Sequence, residues 1–327
     1  MPKTPDEDSL LHQDSPAEPD GLTGQVAQLI RLVRSGEATN IESAFLLAEG
    51  LGHPPAFQAY LHSLLPLYQL AFDETPVQLD ADALLKLLQL TQLNISGRGL
   101  TILPESIGAL LNLQRLDCSS NHLQALPDSI GQLQNLKELY CSYNQLQTLS
   151  ESIGELKNLE ELDCDNNQLQ VLPKSLGKLH NLQELFCSSN KLEALPESLG
   201  TLYNLQRLYC YANQLLALPE SIGGLQNLCY LYWESNQLTV LPESLGQLQS
   251  LYWLDCTENQ LRTLPKSLAG LPRLKTLDAR HNPLTHIPPP PYATSRVWNC
   301  CWSKGSRSRP FVSKWALMSL LAPIGWI

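Results

Sequence analysis

Several sets of residues in this chain are of types that do chemistry, and each implies a different one. Six cysteines (Cys118, Cys141, Cys164, Cys187, Cys210 and Cys256) recur at steps of 23 residues or twice that, the raw material of a redox relay or a thiolate metal ladder. Asp163, Asp165 and Asn166 offer clustered oxygen ligands of the kind calcium takes. Cys300 and Cys301 follow His281 and His286, a donor set that zinc would accept at the right spacing. Asn94, Ile95 and Ser96 form an N-glycosylation sequon. Against these stand absences: the chain has no G-x-x-x-x-G-K-[ST], G-x-S-x-G, H-E-x-x-H or C-x-x-C, so phosphate cradles, nucleophile elbows and metalloprotease helices lack their motifs.

The elements that must carry these residues decide between the readings. Residues 205–215 read LQRLYCYANQL, and similar stretches begin at Leu113 (LQRLDCSSNHL), Leu136 (LKELYCSYNQL), Leu159 (LEELDCDNNQL), Leu182 (LQELFCSSNKL) and Leu251 (LYWLDCTENQL). Asparagines fall at Asn121, Asn144, Asn167, Asn190, Asn213, Asn236, Asn259 and Asn282, an unbroken step of 23. A fixed period of this length marks an array of stacked structural units. Each unit opens with a short strand, whose successive side chains point to opposite faces. If Leu208 points inward, so does Cys210, while Tyr209 points out.

The cysteines therefore form an inward ladder with rungs about 4.8 Å apart. Parallel, in-register Cβ vectors do not converge as a disulfide requires, and a free Cys packs as a small hydrophobe. Six buried, reduced thiols are the expectation, and they suit a reducing compartment. Asp163 and Asp165 diverge from a strand face instead of converging on one cation, and the spacing between residues 281 and 301 matches no zinc pattern. The repeated asparagines bond backbone groups of the neighbouring turn through their amides. The residues thus point to no catalytic group, no metal and no cofactor.

Between strands each unit returns through L-P-x-S-[IL]-G: LPESIG at Leu103, LPDSIG at Leu126, LPKSLG at Leu172, LPESLG at Leu195 and Leu241, and LSESIG, with Ser150 in place of proline. Proline starts a short helical or 3₁₀ turn, the Ile or Leu packs inward, and glycine lets the chain turn back. These motifs resemble the 23-residue units of intracellular leucine-rich-repeat proteins of the Ras-suppressor and plant Ras-group type, most of all bacterial relatives sharing the cysteine position. The resemblance covers about residues 90–291. It implies an α/β repeat solenoid, a leucine-rich-repeat horseshoe with a parallel sheet on its concave face, and protein recognition on that face. Eight coils match, and a ninth from Leu90 (LTQLNISGRGL) is degenerate, with Arg98 in place of asparagine. Trp233 and Ala279 replace the ladder cysteine, and the pattern stops after Ile287. An indole at position 233 calls for extra space or a local shift of register.

Outside the array, residues 1–21 are acidic, proline-rich and aperiodic, and read as disordered. Residues 22–89 read as a helical cap, which a solenoid end requires. Its helices are expected at about 23–35, closed by Gly36, at about 40–49 with Asn40 as N-cap, at about 55–71 with Pro66 bending or ending it, and at about 83–90. Residues 292–327 hold four of the six tryptophans, five basic residues and no acid. This tail reads as a C-terminal cap, a membrane-surface anchor or a non-native reading frame. The opening MPKTPDEDSLLHQDSPAEPD has no apolar h-region, and no run approaches the ~18 apolar residues of a membrane span. The expectation is a cytoplasmic protein whose sequon stays unmodified. A net charge of −10 disfavours nucleic acid as a partner.

Outward residues then carry the function. Counted from the first leucine of each coil, positions three, five and seven face out. They place Glu138, Glu161, Asp163, Asp165 and Glu184 in one acidic zone, an arrangement that strand pairing alone disfavours. They place Phe186, Arg207, Tyr209, Tyr211, Tyr230, Tyr232 and Trp253 in an adjoining aromatic field. Tyr, Trp and Arg dominate interface hot spots, and an exposed apolar patch marks a binding surface. The competing reading is that these aromatics are strand-favouring residues stacking for stability. The expected function is a non-enzymatic interaction scaffold whose protein partner carries apolar anchors and basic flanks. The alternative is a substrate-recognition subunit for a ligase, kinase or GTPase on another chain.

Overall fold

The computed structural model describes residues 20–285. The expected disorder of the first residues and the three readings of the tail lie outside the described residues. Five helices come first: α1 (Asp20–Arg34), α2 (Ala38–Gly50), α3 (Pro55–Ser63), α4 (Leu65–Phe72) and α5 (Ala81–Leu88). Gly36 closes the first turn region at φ +67°, as its position suggested. Most helix ends differ from the sequence reading by one to three residues, and two of the differences have a clear cause. The N-cap of α2 is Glu37, and Asn40 lies inside the helix, its amide bonded to Ser35 Oγ at 3.1 Å and Glu37 Oε2 at 3.0 Å. The segment containing Pro66 breaks two residues earlier, at Leu64, because proline is tolerated only in the first turn of the helix it then begins.

Nine three-residue strands follow: β1 (Gln92–Asn94), β2 (Arg115–Asp117), β3 (Glu138–Tyr140), β4 (Glu161–Asp163), β5 (Glu184–Phe186), β6 (Arg207–Tyr209), β7 (Tyr230–Tyr232), β8 (Trp253–Asp255) and β9 (Thr276–Asp278). They form one parallel sheet in sequence order, each residue paired with the residue 23 positions on. After each strand from β1 to β8 runs a 3₁₀ turn, entered through proline or, in one coil, through Ser150, whose hydroxyl accepts from Ser152 N–H at 3.1 Å. Leucines from strand, turn and return fill the space between and are buried. The core is thus continuous along the stack.

The glycine ending each L-P-x-S-[IL]-G has a different role from the one read in sequence. None of these glycines has a positive φ. Instead, a Cβ on Gly200 would lie 2.2 Å from the carbonyl oxygen of Ser221 in the next coil, so glycine allows adjacent turns to approach. The left-handed residue is elsewhere, at position eight of each coil, where Ser120, Tyr143, Asn166, Ser189, Ala212, Ser235, Glu258 and His281 all adopt φ between 51° and 56°. A non-glycine residue held there is uncommon, and the asparagine that follows holds it. Asn190 Nδ2 lies 3.0 Å from Cys164 O, 3.2 Å from Cys187 O and 3.1 Å from Ser188 O, and its Oδ1 accepts from Leu169 N–H at 2.9 Å.

The six ladder cysteines are fully buried, and none of the seven described cysteines forms a disulfide. The Cys164 thiol donates to Phe186 O at 3.1 Å. Burial pushes the Cys118 thiol up to about 12, so these thiols stay protonated and unreactive. Trp233 keeps the strand register unbroken. The strain shows in its N–H bond to Asp255 O, 3.1 Å where Cys164 and Cys187 make 2.8 Å, and in a buried indole Nε1 with no acceptor among the described residues.

The degenerate first coil has a purpose that its sequence concealed. Arg98, at the asparagine position, reaches Leu70 O at 2.8 Å and Asp73 Oδ1 at 2.7 Å. It joins the solenoid to the end of α4, and its own N–H is received by Asn121 Oδ1 at 3.0 Å. Helices and array are thereby one continuous body sharing a single core.

Candidate functional site

Three rows run across the strand face, one for each outward position. The first row reads Arg115, Glu138, Glu161, Glu184, Arg207, Tyr230, Trp253, Thr276, fixed by strand register. Three glutamates side by side would repel, but the row closes itself. Arg115 pairs with Glu138 at one end and Arg207 with Glu184 at the other. Between them Tyr140 OH lies 2.9 Å from Glu161 Oε2 and 3.1 Å from Glu138 Oε2, so one phenolic proton serves two carboxylates. The Arg115 guanidinium lies 4.5 Å from the centre of the Tyr140 ring. The acidic zone is therefore partly compensated from within, though Glu138 and Glu184 still repel Glu161 between them. Arg115 and Tyr140 were missed in sequence. The signal for Arg115 was available in position three, where an arginine stands at each end of the three glutamates.

The remaining carboxylates carry the electrostatic tension. Burial raises the Glu161 carboxyl above its usual range. Asp163 is raised by burial although Ser142 Oγ donates to it at 2.8 Å and Asp165 N–H at 3.0 Å. Asp165 is pushed up to about 7, by burial first and by Asp163 second, against the bond it accepts from Ser188 N–H. Burial likewise lifts the neighbouring Tyr211 phenol to about 12.

The aromatic field differs from an exposed patch. Phe186 and Tyr209 stack with ring centres 4.7 Å apart and planes 8° apart, and Tyr209 and Tyr232 at 4.8 Å and 5°. The rings stand on edge like plates, and Tyr209, in the middle, is only 9% exposed. Such stacking contributes about 0.5–1.5 kcal/mol per pair beyond burial, so the stabilising reading of the aromatics holds for this row. Reachable surface lies on either side of Tyr209, since Phe186, Tyr211 and Tyr232 are half-buried like the residues of the first row. Arg207, Tyr230 and Trp253 are half-buried, the Arg207 guanidinium 5.7 Å from the Tyr230 ring centre and Tyr232 tilted against Trp253 at 6.3 Å. Trp253 turns its Nε1 inward, where it meets no acceptor among the described residues, and so offers carbon outward.

Comparison with known proteins agrees with this geometry. A family model described as a leucine-rich repeat region matches residues 65–214, and one described as a leucine rich repeat matches residues 226–284. The fold is a leucine-rich-repeat solenoid. Among solved structures, this solenoid is 32% identical to a plant peptide hormone receptor, RGFR1 in complex with RGF2, over 54% of this chain and 29% of that one, with a TM-score of 0.50. It is 27% identical to the Arabidopsis receptor kinase HAESA in complex with the peptide hormone IDA and the co-receptor SERK1, over 59% and 38%, with a TM-score of 0.52. The functional domain of InlJ from Listeria monocytogenes, which includes a cysteine ladder, is 27% identical over 62% and 46%, with a TM-score of 0.47. The chain therefore spans less than half the length of each of these proteins. A search of curated proteins finds no match. Leucine-rich-repeat regions are in general protein-interaction modules. No helix among the described residues is long and apolar enough to cross a membrane.

Proposed function

We propose that this solenoid is a non-enzymatic interaction scaffold that holds a protein partner on its concave strand face. The observation that carries the reading is the junction in the first row, where a self-compensated acidic strip meets Arg207, Tyr230 and Trp253 on rigid, register-locked strands. Rigid aromatic area beside a guanidinium is the composition of interface hot spots. The raised carboxyls of Glu161, Asp163 and Asp165 favour a partner that brings positive charge, which would relieve their burial. Apolar anchors at Tyr230 and Trp253 with basic flanks toward Asp163 and Asp165 follow from that order. Two structurally similar solenoids are peptide-hormone receptors seen with their hormones, which supports a peptide segment as the bound element. The ladder of buried, reduced thiols suits the cytoplasm, and intracellular signalling is the setting we infer.

Because Tyr209 is buried in the stack, the test falls on Tyr230 and Trp253. The Tyr230→Ala/Trp253→Ala protein should keep its unfolding midpoint within a few degrees and lose its partner in affinity capture, with binding weakened about 100-fold. Equal recovery of every partner by the variant and the unaltered protein would remove the site from this face.

A further inference from the structure

Beside the sheet, on the edge where the chain enters each strand, lies an open groove of about 320 Å³ lined by Glu160, Asn181, Gln183, Asn204, Gln206 and Asn227. Its size falls at the small end of ligand pockets (about 300–1,000 Å³). It owes its shape to a second amide ladder. Asn181 Nδ2 donates to Lys157 O at 2.8 Å, Asn204 to His180 O at 2.8 Å and Asn227 to Tyr203 O at 2.9 Å. Each amide is thereby locked in orientation, and its Oδ1 accepts no bond from any described residue. Gln183 and Gln206 form the facing wall, linked at 3.4 Å between Oε1 and Nε2.

We infer that this groove binds an uncharged, hydroxyl-rich ligand, a saccharide. The lining excludes the other classes. No cation is among its lining residues, and the one beside it, Lys137, is paired with Glu160, so an anion finds no free counter-charge. Its single carboxylate, Glu160, is paired with Lys137 at 3.3 Å, so a cation finds that charge already engaged. No apolar side chain lines it, so a lipid-like ligand gains nothing. What remains is a fixed array of neutral donors and acceptors repeating once per coil, which matches hydroxyls that both donate and accept. A stacked aromatic pair adjoins the groove, whose Asn204 and Asn227 amides bond the carbonyls of His180 and Tyr203. Tyr203, directly before Asn204, stacks on His180 with centres 5.4 Å apart and planes 12° apart, and it is 49% exposed. A sugar ring has a C–H face for such a platform and a hydroxyl edge for the amides, whereas a peptide main chain has only the second. The wall position is neutral along most of the groove, at Gln183 and Gln206, and charged only at the end where Glu160 pairs with Lys137. The groove and its test are independent of the partner site on the strand face.

The probes are unbranched hexasaccharides of gluco-, manno-, xylo- and chito- configuration, with hexaglycine as the peptide control, titrated by calorimetry and saturation-transfer NMR. At least one sugar should bind at millimolar concentration or below. Gln183→Ala/Gln206→Ala should weaken it about tenfold or more, and Tyr203→Ala comparably, while Tyr230→Ala/Trp253→Ala leaves it unchanged. These are surface substitutions, and thermal unfolding confirms that each variant is folded. Binding of no sugar, binding of hexaglycine alone, or sugar binding indifferent to the groove variants would overturn the inference.

Discussion

Asn190→Ala is expected to destabilise the protein by about 2–4 kcal/mol, from one buried donor left unsatisfied and a hydrogen-bond network thinned across two coils. The side chain is 8% exposed and serves four backbone groups in two coils. Alanine leaves the Leu169 N–H buried without a partner, at about 1–3 kcal/mol, while the Cys164 and Cys187 carbonyls each lose one donor and keep Asn167 and Asn213 respectively. It also releases Ser189 from the left-handed turn that the amide holds. Stability in a repeat array is a chain of nearest-neighbour terms, so a break in the middle coil should also separate the unfolding of the two halves. Urea denaturation followed by circular dichroism reads both effects. Asn181→Ala is the matched control, since its amide lies at the exposed groove edge and makes one backbone bond, for an expected loss of about 1 kcal/mol. Equal effects from the two substitutions would show that the inner ladder is not what holds the coils.

Asp165→Asn is expected to stabilise the protein in mildly alkaline solution. The folded carboxyl stands at about 7, above the roughly 3.9 of an unfolded aspartate. Between those values the folded chain retains a proton that the unfolded chain has released, so the contribution of this group to stability falls as pH rises through that window. Above about pH 7 the folded state carries a half-buried carboxylate beside Asp163, and the variant does not. The amide keeps an oxygen to accept from Ser188 N–H. The gain should be at least about 1 kcal/mol at pH 8, shrink as the pH falls below 7 and vanish near pH 4. Asp163 and Glu161 shift in the same direction, so the readout is the difference between variant and unaltered protein across pH. A pH-independent difference would contradict the assignment.

The repeat, the inward cysteines and the asparagine ladder were legible because a period of 23 fixes which residues share a position. Strand alternation then fixes which face they take. What a period cannot show is how one coil meets the next. Gly200 read as a turn residue and proved to be a contact with Ser221. Arg98 read as a degenerate asparagine and proved to be the tie to α4. Tyr209 read as exposed because alternation placed it outward, yet its two neighbours along the row enclose it. Facing out and being accessible separate whenever adjacent coils carry large flat rings at one position. Of the twelve residues read as the partner site, eleven are half-buried and Tyr209 alone is closed off by its neighbours. The groove went unread because its asparagines precede the first leucine and looked like spacing between motifs.

The central claim is that the partner lies on the strand face, and a photo-crosslinking amino acid tests it most directly. One protein carries the crosslinker at Tyr230, and another at Val171, which is 57% exposed on the return side of its coil. Irradiation in the protein's own cells, followed by mass spectrometry, should give one adduct of defined mass from position 230 and none from position 171. The same adduct from position 171 alone, or from both positions equally, would place the partner elsewhere and contradict the account.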